Sequence, residues 1–166
     1  MSSKHAMPTK GDGKGANKAA REALIAALNE DLAREYQAII GYIVYSQVIK
    51  GAAFMSIAAQ LEQHAAEELA HAITICRQID YLGGSPVTMP MPVKTSDKAV
   101  DMLHFDLANE TATIAAYRER VHQCEALGEI AMAEHIREIL KDEQDHQIDL
   151  ATALGVDVPN NSSLDS

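Results

Sequence analysis

The chain has 166 residues, 47% of them hydrophobic but only 4% aromatic, with no Trp and a formal net charge of −10. That length supports one domain with a substantial core, and the acidic balance argues against a body that wraps nucleic acid and suits a cationic partner, metal ions included. Cys76 and Cys124 form no C-x-x-C pair, no stretch approaches the ~20 apolar residues of a membrane span, and no signal-peptide core opens the chain. A cytoplasmic protein is expected.

Residues 1–17 are Lys- and Gly-rich without periodicity and read as a disordered tail. Helix A is predicted over 18–50, with a stripe of Leu24, Leu28, Leu32, Glu35, Ile39, Tyr42 and Ser46, closed by Gly51. Helix B, over 53–82, carries Ile57, Leu61, His64, Glu68, His71, Ile75 and Leu82 and stops at Gly83–Gly84. The following "GGSPVTMPMPVKTSD" holds three prolines and forbids regular structure; its Met89 and Met91 read as packing residues. Helix C starts near Asp97 with Ser96 as N-cap and runs to Ala126. Helix D, over 129–154, carries Met132, Ile136, Ile139, Glu143, His146, Leu150 and Ala153 and ends at Gly155, leaving 156–166 as a flexible tail. Two long-helix hairpins joined by one long link describe an all-α, ferritin-like four-helix bundle.

The apolar stripe of helix C contains an anomaly. Stepping from Leu103 and Leu107 to Ile114, Tyr117 and Val121 lands on Glu110, a carboxylate where a bundle helix wants Leu. A buried, unpaired carboxylate is costly enough that it protonates or finds a cation. The other helices explain it. Glu35 precedes Tyr42 by seven residues, as Glu110 precedes Tyr117; helix B has Glu68-x-x-His71 and helix D has Glu143-x-x-His146. The hairpins are a weak internal repeat that brings four Glu and two His to one level. Residues at i and i+3 share a helix face, so each Glu-x-x-His pair can reach one ion. Two divalent ions would neutralise four mutually repelling carboxylates, and mixed O/N ligation suits iron or manganese. One Glu from each of two helices with Glu-x-x-His from the other two is the ligand set of carboxylate di-iron and di-manganese bundles. Glu119-x-x-His122 matches the short motif too, but falls about 180° from Glu110, on the outer face.

His64 reads as a hydrogen-bonding core residue beside the ligands, and Tyr42 and Tyr117 as hydroxyls that hold carboxylates. Gln63 and Glu67 flank the stripe and read as solvated, with Glu67 able to draw cations toward the site. Helices B and C are expected to run the same way, which offsets Cys76 and Cys124 by about 9 Å along the axis. That exceeds the ~7 Å Cα separation a disulfide tolerates. Cys76 then reads as a small core residue and Cys124 as a helix-end residue.

The segments "LNEDLAREYQAIIGY", "EELAHAITICRQIDYLGGSP", "MLHFDLANETATIAAYRERV" and "ILKDEQDHQIDLATALG" carry a resemblance to the bacterioferritin branch of the ferritin-like superfamily and its Dps-like relatives. The resemblance implies that Glu68 and Glu143 bridge two irons, with Glu35 and His71, and Glu110 and His146, as terminal ligands; manganese or zinc are the alternative metals. It further implies a ferroxidase that oxidises Fe(II) with O2 or hydrogen peroxide and stores ferric mineral. In the family a Met directly after the first motif's Glu ligates haem; here that residue is Leu69, and an alkane cannot ligate iron, which speaks against haem. After Gly155 the chain offers only "VDVPNNSSLDS" in place of a fifth helix, so a twenty-four-subunit shell, a twelve-subunit shell and a dimer all stay open. Two other functions stay open as well: a di-metal peroxidase or catalase-like oxidoreductase without storage, and a Dps-like protein protecting DNA through its basic tail. The tail's three lysines and the adjoining Lys18 would neutralise at most about four phosphates.

Overall fold

The computed structural model describes residues 12–160, and the expectations for 1–11 and 161–166 lie outside it. Helix α1 spans Asp12–Val48, α2 Met55–Tyr81, α3 Ala99–Ala126 and α4 Ile130–Leu154, with a 3-10 turn at Ala52–Phe54. No strand occurs among the described residues. The helices match the predicted ones in number and kind, with three shifted edges. α1 begins six residues before 18, so the last part of the expected tail, 12–17, is helical. Around Gly51 a 3-10 turn replaces the start of helix B. Ser96 does not cap α3 directly: its hydroxyl accepts the Lys98 N–H at 3.1 Å and donates to Asp101 at 2.9 Å, one step ahead of the helix start at Ala99.

Side-chain partners fix the topology. Along α1 and α3, Asp31 meets Arg120, Glu35 meets Tyr117 and Tyr42 meets Glu110, so one number rises as the other falls. Along α2 and α4 the same inverse order joins His64 to Asp149, Glu67 to His146 and His71 to Asp142. Gln47 with Glu62 and Arg137 with Glu125 show that each hairpin is antiparallel too. Hence α2 and α3 run the same way, and the link must travel the length of the bundle. It does so along α1: Val87 N–H donates to Asn29, Met91 N–H to the Ala33 carbonyl, and the Tyr45 hydroxyl to the Lys94 carbonyl. Met91 is anchored by that backbone bond, whereas Met89 is 72% exposed and does not pack. Gly84 allows the α2 exit to lie against α1, because a Cβ there would sit 2.5 Å from Ile25 Cγ2.

The predicted stripes are buried, apart from half-buried Ile39 and exposed Ala153, whose place Ala151 takes. They form two apolar clusters. One contains Leu24, Leu28, Leu32, Ile75, Ile79, Met132 and Ile136; the other Ile57, Leu61, Met102, Leu103, Leu107 and Leu150. The ligand candidates lie between these clusters. Apolar packing above and below supplies the folding free energy and strips water from the polar layer it encloses. Both cysteines are free: Cys124 is fully buried near the α3 terminus, while Cys76 is half-buried against the first cluster rather than inside it.

Candidate metal centre

All six predicted ligands converge, each 4% exposed or less. Each helix contributes its residues at the turn where its stripe crosses the middle of the bundle. His71 Nδ1 lies 3.1 Å from Glu68 Oε2, 3.2 Å from Glu143 Oε1 and 3.5 Å from Glu35 Oε2. His146 Nδ1 lies 2.9 Å from Glu68 Oε1, 3.3 Å from Glu143 Oε2 and 4.0 Å from Glu110 Oε1. Glu68 and Glu143 therefore turn one oxygen toward each histidine, while Glu35 faces only His71 and Glu110 only His146. Two overlapping tetrads result, Glu35–Glu68–His71–Glu143 and Glu68–Glu110–Glu143–His146. Glu119 and His122, the outward pair, are exposed and take no part.

The donor set fits divalent cations. Glu35 Oε2, Glu68 Oε1, both Glu143 oxygens and His146 Nδ1 are buried without a hydrogen-bond partner. Such groups are destabilising unless something charged arrives between them. Protons stand in for that charge in the metal-free protein. Burial first, then the charges of Glu68 and Glu143, push the Glu35 carboxyl well above its usual range; burial, then Glu143 and Glu68, do the same to Glu110. Burial opposes a charged His71, yet the surrounding Glu143, Glu35 and Glu68 carboxylates outweigh it and raise the imidazole far above its ordinary value. The same contest at His146, won by Glu143 and Glu68, pushes it up to about 12. Burial likewise opposes ionisation of Glu68, but the neighbouring Glu35 carboxyl and the His146 and His71 imidazoles hold its carboxyl below the usual range.

The tyrosines cross-brace the hairpins. Tyr42 on α1 donates to Glu110 on α3, and Tyr117 on α3 donates to Glu35 on α1. His64 bonds Asp149 at 3.2 Å and stacks on His146 with ring centroids 4.1 Å apart. Sequence reasoning underread Glu67, which is not merely solvated: its Oε2 takes His146 Nε2 at 2.8 Å. Asp142 treats His71 Nε2 in the same way at 3.2 Å. Each acid directly precedes the candidate bridging Glu on its own helix and holds the other helix's histidine. The signal was present in "EELAH" and "DEQDH", whose first letters are both acidic. Holding Nε2–H this way makes Nδ1 the atom that faces the carboxylates, the one whose proton an entering cation would displace. A cavity of about 10 Å³, room for about one water, reaches the carboxylates between Arg34, Gln37 and Ala38 of α1 and Asn109 and Thr113 of α3.

Fold and site together define a carboxylate four-helix bundle with a two-cation donor set. The ferritin-like domain family matches residues 25–157, and the chain belongs to that family, in its bacterioferritin branch. The bacterioferritin of Desulfovibrio desulfuricans is 30% identical over 124 residues, covering 74% of this chain and 69% of its own. A bacterial ferritin of Paramagnetospirillum magnetotacticum is 30% identical over 82% of this chain and 85% of its own. Among solved structures, a ferritin-like, diiron-carboxylate protein from Bacillus anthracis superposes with a TM-score of 0.79 at 31% identity, covering 81% of this chain and 97% of that one. The dodecameric, bacterioferritin-related thioferritin of Bacteroides fragilis gives 0.75 at 26% identity, covering 86% and 93%.

Proposed function

We propose that the protein stores and detoxifies iron, oxidising Fe(II) at a dinuclear centre formed by Glu35, Glu68, His71, Glu110, Glu143 and His146. The observation that carries this reading is the division of oxygens: Glu68 and Glu143 each face both histidines, as bridging ligands must. The diiron site of the Desulfovibrio desulfuricans bacterioferritin supports iron as the metal, with manganese or zinc as substitutes.

Fe(II) is the substrate. Two Fe(II) ions supply the two electrons that take O2 to hydrogen peroxide, or hydrogen peroxide to water. The chain's own residues do the rest. Four carboxylates favour the higher ferric charge, and the two imidazoles bind as neutral donors through Nδ1. Glu67 and Asp142 hold the Nε2 protons. Tyr42 and Tyr117 restrain the terminal carboxylates. The apolar clusters on either side keep bulk water out. Protons displaced from Glu35, Glu110, His71 and His146 leave as cations enter.

A closed homo-oligomeric shell would house the mineral, as in the dodecameric Bacteroides fragilis relative. Size-exclusion chromatography combined with aerobic Fe(II) loading tests this. Storage predicts a large assembly retaining many irons per subunit. A small oligomer that stops at two metals per subunit would replace storage by a di-metal oxidoreductase.

A further inference from the structure

The internal repeat surrounds the candidate centre, and the two open sides of the bundle there carry opposite charge. Aligning Glu35 with Glu110 pairs Arg34 with Asn109 and Ala38 with Thr113. All four of these flanking residues line the opening between α1 and α3, above Glu35, Glu68, Glu110 and Glu143. Gln37 completes the rim, its amide donating to the Pro92 carbonyl. Apart from the candidate ligands, the lining therefore holds one cation and no carboxylate. α2 and α4 pack on each other across the bundle from that opening. Aligning Glu68 with Glu143 pairs Glu67 with Asp142 on that far side, where their carboxylates are part-exposed and Asp149 adds a third.

Arg34 keeps an uncompensated charge at the rim. Its Nη1 lies 2.8 Å from Asp31 Oδ1, but the same carboxylate already takes Arg120, with Nε 2.6 Å from Oδ2 and Nη2 3.2 Å from Oδ1. Two guanidiniums on one carboxylate leave one positive charge over, and a guanidinium keeps its proton in a protein. Glu30 offsets little, because it lies 3.9 Å away on a side chain that is 67% exposed and screened by water. Asp31 is buried and so fixes the arginine beside the opening. A divalent cation entering here would shed its hydration in a cavity of about 10 Å³ while passing a fixed like charge. A small uncharged molecule meets neither cost.

We propose that Arg34 is a specificity-determining residue that closes the α1–α3 opening to Fe(II) and reserves it for the uncharged oxidant, so that iron reaches the centre from the side of Glu67 and Asp142. The inference rests on the dinuclear-centre reading above. Its consequence is order: the oxidant arrives by a path that holds no iron and meets only the ions already held by the ligands.

Co(II), whose ligand-field absorption reports occupation, measures cation entry in anaerobic stopped flow. Mixing Fe(II)-preloaded protein with O2 measures the oxidant step separately. At low salt Arg34→Gln should take up Co(II) about tenfold faster than wild type, and the gain should shrink at about 0.5 M salt. Arg34→Lys, which keeps the charge, should match the wild-type rate. Arg137→Gln, which makes the same charge change on an exposed part of α4, should also leave uptake unchanged. Filling the opening with Ala38→Leu should slow oxidation of preloaded Fe(II) severalfold while Co(II) uptake stays at the wild-type rate. Arg34, with a side chain 23% exposed, tolerates substitution more readily than Ala38, so its variants carry the test if Ala38→Leu does not fold. Unchanged or slower Co(II) uptake in Arg34→Gln would overturn the inference, as would Co(II) uptake that slows together with oxidation in Ala38→Leu. A wild type that takes up no Co(II) would overturn the metal-centre reading instead.

Discussion

The Tyr42 hydroxyl on α1 donates to the Glu110 carboxylate on α3, and Tyr117 returns the bond to Glu35. Each tyrosine thus restrains a candidate ligand carboxylate on the opposite hairpin, and the register of α1 on α3 is tied to the geometry of the candidate centre. Removing one hydroxyl loses a buried hydrogen bond, worth about 1–3 kcal/mol when the acceptor is left unpaired. Tyr42→Phe should lower thermal stability modestly and weaken Zn(II) binding at one of two steps; equal loss at both steps would show that the halves are not separately braced.

Glu110→Ala should abolish rapid Fe(II) oxidation while circular dichroism stays helical. The variant loses a terminal oxygen donor and also relieves carboxylate crowding in the metal-free core. Glu119→Ala, on the outer face, should oxidise at the wild-type rate in stopped-flow absorbance. Wild-type kinetics in Glu110→Ala would remove it from the site.

The metal-free fold should lose stability as pH rises. Glu35, Glu110 and Asp106 have raised carboxyl values, so the native state holds protons that the unfolded chain gives up above about pH 4.5. Raised histidines act in the same direction: the stabilisation from His71 and His146 is complete below about pH 6.5 and is lost as pH climbs toward their folded values. With the native state binding more protons, unfolding free energy falls with pH. Urea midpoints for metal-free protein should therefore drop between about pH 5 and pH 8, and saturating Zn(II) should reverse the slope. A metal-free midpoint that rises over this range contradicts the site's electrostatics.

Arg120 and Asp31 form a buried pair between hairpins, with side chains 6% and 1% exposed. Arg120→Ala leaves the buried Asp31 carboxylate only Arg34, 2.8 Å away, and should cost about 1–3 kcal/mol. Asp31→Leu combined with Arg120→Met should recover most of that loss in urea unfolding. No recovery would mean the pair sets register beyond its charge.

Much of this was legible in the sequence because two periodicities disagreed. A helical stripe of Leu and Ile interrupted by Glu35, Glu68, Glu110 and Glu143 at equivalent heights has no packing rationale, and that conflict located the site. Glu119-x-x-His122 was separable from the two inward pairs by helical phase alone. Less legible were groups acting across helices. Glu67, Asp142 and Arg34 lie at or beside the stripe edges, and their roles depend on which helix faces which, information that intrahelix spacing does not hold. Met89 was misread because a Pro-rich link has no period from which burial can be inferred. The early start of α1 was hidden by glycines at 13 and 15, which lower helix propensity without forbidding a helix that a long downstream segment has already nucleated.

Leu69 sits 53% exposed on α2, and its alkane side chain cannot ligate iron. Reconstitution with haem should give no low-spin, bis-Met absorption. A stoichiometric low-spin band would demand another axial residue.

The central claim is that two metal ions share Glu68 and Glu143. Anomalous diffraction at the iron edge, from crystals soaked anaerobically in Fe(II), addresses it most directly. Two peaks should appear, one among Glu35, Glu68, His71 and Glu143 and the other among Glu68, Glu110, Glu143 and His146. A single peak, or peaks only at surface acids such as Glu119, would contradict the account.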